Sequence, residues 1–130
     1  MNKYLYFRTE ATDANDDATG DSACWPASSL MGMQPTSDTA LTLYFTPMVR
    51  RYPSGNEVDE DQNFDNHDTV ILTIPANTHL TAMKAIVFHI NNSRVDTIIV
   101  ANDDSGGTEY LDGSGITACG AISVRAAFTN

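Results

Sequence analysis

Apolar residues recur at regular intervals over much of the chain, most legibly from Asp68 to Asp104, DTVILTIPANTHLTAMKAIVFHINNSRVDTIIVANDD. This stretch predicts a strand, a helix and a strand. DTVILTI is an apolar run that stops at Pro75, and Asn77 or Thr78 can cap the helix that follows. In that helix Leu80, Met83, Val87 and Ile90 recur at three- and four-residue spacing, a stripe suited to lie on a sheet, with Ala82 and Ile86 widening it. Lys84, His89 and Asn91 fall off the stripe, and an Asp at Val87 is expected to unfold the domain. Asn91, Asn92 and Ser93 end the helix with residues that tolerate left-handed or turn backbone. DTIIVAND has a continuous apolar centre, as a strand with neighbours on both sides has.

The flanking segments predict further strands. KYLYF (3–7) is rich in aromatics and reads as a first strand, with Tyr4 and Tyr6 on one face and Leu5 and Phe7 on the other. ATDANDDATGDSA has no apolar period and reads as a loop. SSLMGMQ (28–34) and TALTLYF (39–45) form a hairpin around the turn residues Pro35 to Asp38, with Leu41, Leu43 and Phe45 sharing one face. From about 48 to 67 the pattern fails in a long acidic loop, and ITACGAISVRA supplies a last strand. Residues 1–130 therefore predict one α+β domain, a mostly antiparallel sheet of about six strands with one helix packed on one face. The other face is left to water or to a partner.

Charge narrows the functional classes. A formal charge of −10 and only seven Lys and Arg argue against nucleic acid, whose counterions basic residues must replace. No apolar run is long enough to span a bilayer, and Arg8 and Glu10 interrupt the place of a signal peptide's apolar core. The expectation is a soluble protein made in the cytoplasm. Cys24 and Cys119 are too few for a disulfide scaffold and read as small buried hydrophobes, although a bridge between them stays open.

Three acidic loops resemble calcium loops without completing one. Asp13, Asn15, Asp17 and Asp21 have suitable offsets, but Ala18 stands where Gly is required and Cys24 where the bidentate Glu belongs. Asp59, Asp61, Asn63 and Asp65 lack the turn glycine, and Asp103, Asp104 and Glu109 flank paired glycines. His67, His79 and His89 are too dispersed for a zinc set. No nucleophile motif accompanies them, so the expectation is a non-enzyme without cofactor or metal. Tyr4 and Tyr6, with one face turned from the core, and Arg50, Arg51 and Tyr52, of the residue types that anchor interfaces, are the candidate interface residues.

The segments KYLYFRTEATD, SSLMGMQPTSDTALTLYF, DTVILTIPANTHLTAMKAIVFHIN and TIIVANDD together resemble small virion structural proteins of tailed phages of marine bacteria, T4-like cyanophages in particular. The acidic stretch from Tyr52 to His67 lies outside the resemblance. The resemblance implies a component of the particle, capsid-associated and decoration- or cement-like, self-assembling or docked on major capsid or other virion proteins. A tail, neck or fibre component is the alternative, and a calcium- or ligand-binding module is the alternative from another class.

Overall fold

The computed structural model describes residues 3–18, 20–47 and 67–124. Among them are eight strands and one α-helix. The strands are β1 (Tyr4–Arg8), β2 (Ser22–Pro26), β3 (Leu30–Ser37), β4 (Ala40–Phe45), β5 (Asp68–Thr73), β6 (Thr97–Asn102), β7 (Glu109–Tyr110) and β8 (Ala118–Ser123), and the helix is α1 (His79–Asn92). They form two four-stranded sheets, ordered β2-β1-β6-β7 and β3-β4-β5-β8. Every pairing is antiparallel except β1 with β6. The fold is α+β with one helix and predominantly antiparallel strands.

Two sheets replace the single sheet of about six strands, and this changes what covers the apolar faces. Each sheet turns its apolar side to the other. Leu5, Phe7, Trp25, Ile98 and Val100 of the first meet Leu41, Leu43, Phe45, Val70 and Leu72 of the second in one core. At its centre Trp25 stacks on Phe45 at 4.5 Å, and Phe7 meets both rings edge-on at 5.6 and 5.8 Å. Such ring pairs add about 0.5–1.5 kcal/mol each beyond the area they bury. The Trp25 indole N–H donates to the fully buried Asp68 carboxylate at 2.8 Å, a polar tie between the sheets. A second sheet therefore covers the face that was left to water or to a partner.

The hairpin expectation holds, with the turn two residues later than predicted, because β3 runs on through Pro35 to Ser37. Leu41, Leu43 and Phe45 share the inner face. β2 falls at the end of the segment read as a loop, and its Trp25 is fully buried.

The helix lies against β3 and β6, touching both sheets, through the Ala82, Met83, Ile86 and Ile90 part of the predicted stripe but not through Leu80 and Val87. Ala82 and Ile86 are fully buried, with Met83, Ala85 and Ile90 beside them. Leu80 is 65 % exposed and Val87 47 %. The buried face is thus shifted to the Ala82–Ile86 side of the expected stripe, by less than one residue's step of about 100°. The small Ala82 lets its backbone approach the sheets. Thr78 occupies the N-cap, but its hydroxyl donates to the Pro75 carbonyl at 2.8 Å instead of accepting from the helix. The left-handed residue is Asn77 (φ 64°) before the helix, whereas Ser93 after it is extended.

On β8, Gly120 is required by space. A Cβ there would stand 2.8 Å from the Ile71 carbonyl oxygen of β5.

Candidate functional site

The parallel pairing of β1 with β6 carries Arg8 and Asn102 to the same end of the first sheet, and the acidic loops after β1 and β6 meet there. Their convergence point is Arg8. Its side chain is buried to 8 % exposure, its guanidinium lies 3.3 Å from Asp16 and 4.0 Å from Asp104, and its Nε donates to the Glu10 carbonyl at 2.7 Å. Burial opposes the charge, but a hydrogen bond to Tyr6 and the carboxylates of Asp104 and Asp16 outweigh it and raise the Arg8 pKa.

Neighbouring donors engage further carboxylate oxygens in these loops. Asp16 accepts from the Ser22 hydroxyl at 2.8 Å, and Asp21 accepts from the N–H groups of Asp17 and Ala18. Asp104 accepts from the Gly106 N–H in a tight turn. Asp103 accepts from the Tyr110 hydroxyl at 2.5 Å and the Cys119 N–H at 3.0 Å. Two loops that look calcium-like in sequence are therefore organised around a guanidinium and backbone donors. Among the described residues no cluster of three His, Cys, Asp or Glu side chains is placed to hold a metal ion. Asp59, Asp61, Asn63 and Asp65 lie outside the described residues. Arg8 and Asp16 escaped the sequence reading, because neither stands at a calcium offset, and the β1–β2 hairpin and the β1–β6 pairing are needed to bring them together with Asp104.

Burial pushes the Cys119 thiol up to about 12, assisted by the Asp103 charge, and the same two causes with the Asp103 hydrogen bond raise Tyr110 to about 12. Both groups are held neutral. Cys119 is buried as expected, whereas Cys24 is exposed, and both are free thiols. The strand direction explains Cys24, since Trp25 takes the inward position and its neighbour must point out.

The three histidines stay apart. His79 donates Nε2–H to the Ser37 and Ala40 carbonyls at 2.8 and 3.1 Å, His89 donates to the Asp112 carbonyl at 3.1 Å, and His67 packs edge-on against Tyr44. Each fastens one element to another.

Two apolar surfaces face outward. On the outer side of the first sheet, Cys24, Tyr6 and Ile99 form one row across β2, β1 and β6, and Pro26, Tyr4 and Thr97 form the next. Tyr4 is 39 % exposed, so this expected interface pair does stand on an outer face. Arg50, Arg51 and Tyr52 lie outside the described residues. The second surface is the solvent side of α1, where Leu80, Val87 and Phe88 stand exposed around Lys84. Beside it a shallow groove of about 390 Å³ runs between Phe88, His89 and the Asp112–Gly113 turn. Leu80 and Val87, expected in the core, thus join Phe88 on the surface instead.

No protein family, curated protein or solved structure matches the chain.

Proposed function

We propose that the chain is a structural component of a phage virion, capsid-associated and decoration-like, which acts by assembly and not by catalysis. In this reading it is made in the host cytoplasm and ends in the particle, against copies of itself and major capsid or other virion proteins. The observation that carries the reading is the outer face of α1. Leu80 is 65 %, Phe88 60 % and Val87 47 % exposed on a helix without a single Asp or Glu, in a chain of net charge −10. Large exposed apolar side chains grouped on one element mark surfaces that bind other proteins. The acidic remainder of the surface discourages contact elsewhere by like-charge repulsion. The resemblance noted for the strand–helix–strand and hairpin segments points to the same class.

Quantitative mass spectrometry of purified virions tests the proposal. Hundreds of copies per particle are expected for a head protein, and a handful would transfer it to the tail or neck. Absence from particles, together with no co-sedimentation of the purified chain with empty capsids, would overturn it. Leu80→Glu with Phe88→Glu is expected to abolish co-sedimentation while leaving the fold intact, since both side chains are exposed.

A further inference from the structure

The sheets end in four edge strands, and exposed edges invite pairing with another chain unless something blocks them. Three are blocked. β3 contains Pro35 and two register shifts. β7 is two residues long. On β8 the Cys119 N–H is taken by Asp103 and its carbonyl accepts from the Thr9 hydroxyl at 3.0 Å. β2 is different. Its antiparallel bonding to β1 is fixed in phase by Ala27 N–H to Lys3 and Thr9 N–H to Asp21. Continuing that alternation, the backbone of Ala23 and Trp25 faces β1, and that of Ser22, Cys24 and Pro26 faces outward. Among the described residues nothing hydrogen-bonds the Cys24 N–H or carbonyl on that outer side.

We infer that the β2 edge pairs with the β2 edge of a second copy of this chain, antiparallel and centred on Cys24, which joins the two first sheets into one of eight strands. The occupant follows from self-complementarity and charge. With the two-fold axis at Cys24, its N–H and carbonyl exchange hydrogen bonds with those of the same residue in the second copy. Ser22 N–H then faces the carbonyl of Pro26, the residue that has no N–H to offer. Ser22 to Pro26 carries no charge, and the flanking Asp21 meets Ala27 of the other copy. The two Asp21 side chains then lie on opposite sides of the axis, six residues or roughly 20 Å apart. That exceeds the screening length of about 8 Å. Parallel pairing would set them side by side. On the outer face the row Ile99, Tyr6, Cys24 continues into Cys24, Tyr6, Ile99 of the second copy. The inference does not rest on the virion proposal, since the edge is the same whatever particle the chain joins.

Sedimentation of the purified chain, with a thiol-bridging bismaleimide as probe, tests it. Opposed residues of such a pair have Cα atoms about 5.5 Å apart, within bridging range. The expected result is a dimer that cross-links through Cys24, as mapped by mass spectrometry. Cys24→Lys sets two like charges opposite each other on an exposed position and is expected to weaken the dimer on the order of tenfold or more. Cys24→Pro removes the outward N–H without touching the β1 ladder and is expected to do the same, with circular dichroism confirming the fold of both. A monomer at high micromolar concentration would overturn the inference. So would a dimer that both variants leave intact.

Discussion

Ile86 and Val87 are neighbours in sequence and opposites in environment, so one acidic substitution at each distinguishes the observed helix setting from the stripe that periodicity suggests. Ile86 is fully buried and Val87 is 47 % exposed. Truncating a buried Ile costs about 2–5 kcal/mol. Replacing it by Asp adds an unpaired buried charge, worth several kcal/mol more unless the carboxyl is protonated. Domains of this kind hold about 5–15 kcal/mol in total, so Ile86→Asp is expected to leave the chain unfolded at neutral pH. Val87→Asp exchanges two residues of similar helix propensity at a solvated position and should change stability by about 0.5 kcal/mol. Urea titration followed by circular dichroism, with Ile86→Ala as a milder buried variant, reads all three. A folded Ile86→Asp beside an unfolded Val87→Asp would show the helix turned by one residue and restore the Leu80–Val87 stripe to the core.

Further expectations concern the polar ties. Asp68→Leu strands the buried Trp25 N–H and should cost about 1–3 kcal/mol, while Asp68→Asn, which keeps a carbonyl acceptor, should cost less; equal urea midpoints for the two would refute the tie. Millimolar Ca²⁺ should leave the melting temperature of the chain unchanged, because Arg8 already serves Asp16 and Asp104. Arg8→Met should both destabilise the chain and make its melting temperature rise with Ca²⁺, and a calcium-dependent rise in the unmodified chain would refute the reading. Tyr110 and Cys119 are raised to about 12 from 10.0 and 9.0, so the unfolded chain ionises first as pH rises. Stability is then complete below about pH 9 and falls between pH 9 and 12. A urea midpoint flat across that range, or one that Cys119→Ala leaves equally steep, would contradict the assignment.

Strands with clear alternation were legible in the residues alone. Leu41, Leu43 and Phe45 face inward, Leu5 and Phe7 face inward opposite Tyr4 and Tyr6, and β6 holds the interior position that its apolar run indicated. The helix face was legible only in part, since Ala82, Met83, Ile86 and Ile90 face the core as expected and Leu80 and Val87 do not, for a physical reason. Together with Ala82 and Ala85, the residues Leu80, Met83, Ile86, Val87, Phe88 and Ile90 form an apolar arc too wide for period alone to fix its centre. The choice falls to the side of Ala82, small enough to permit close approach, which stood only at the margin of the expected stripe. β2 was missed because it holds one large inward residue, Trp25, between an acidic loop and a short 3₁₀ turn. Its strand character comes from its partner β1.

The same pairing logic governs the charge. Arg8 and Asp16 meet within the β1–β2 hairpin, and Asp104 joins them because β1 and β6 run parallel, so no single local spacing announces the trio. Once assembled, Arg8 neutralises part of the acid at that end of the first sheet, and backbone donors take up Asp21 and Asp103. The acid still open to solvent includes Asp17, Glu109 and Asp112. Neither α1 nor β2 carries any. In a chain of net charge −10, contact between copies or with other acidic proteins is least opposed where acid is missing. Those two elements differ in what they offer. The helix presents side chains, which accept partners of varied shape, and the β2 edge presents backbone, which accepts only a strand. In the two proposals the edge takes a strand of a second copy and the helix takes a different surface.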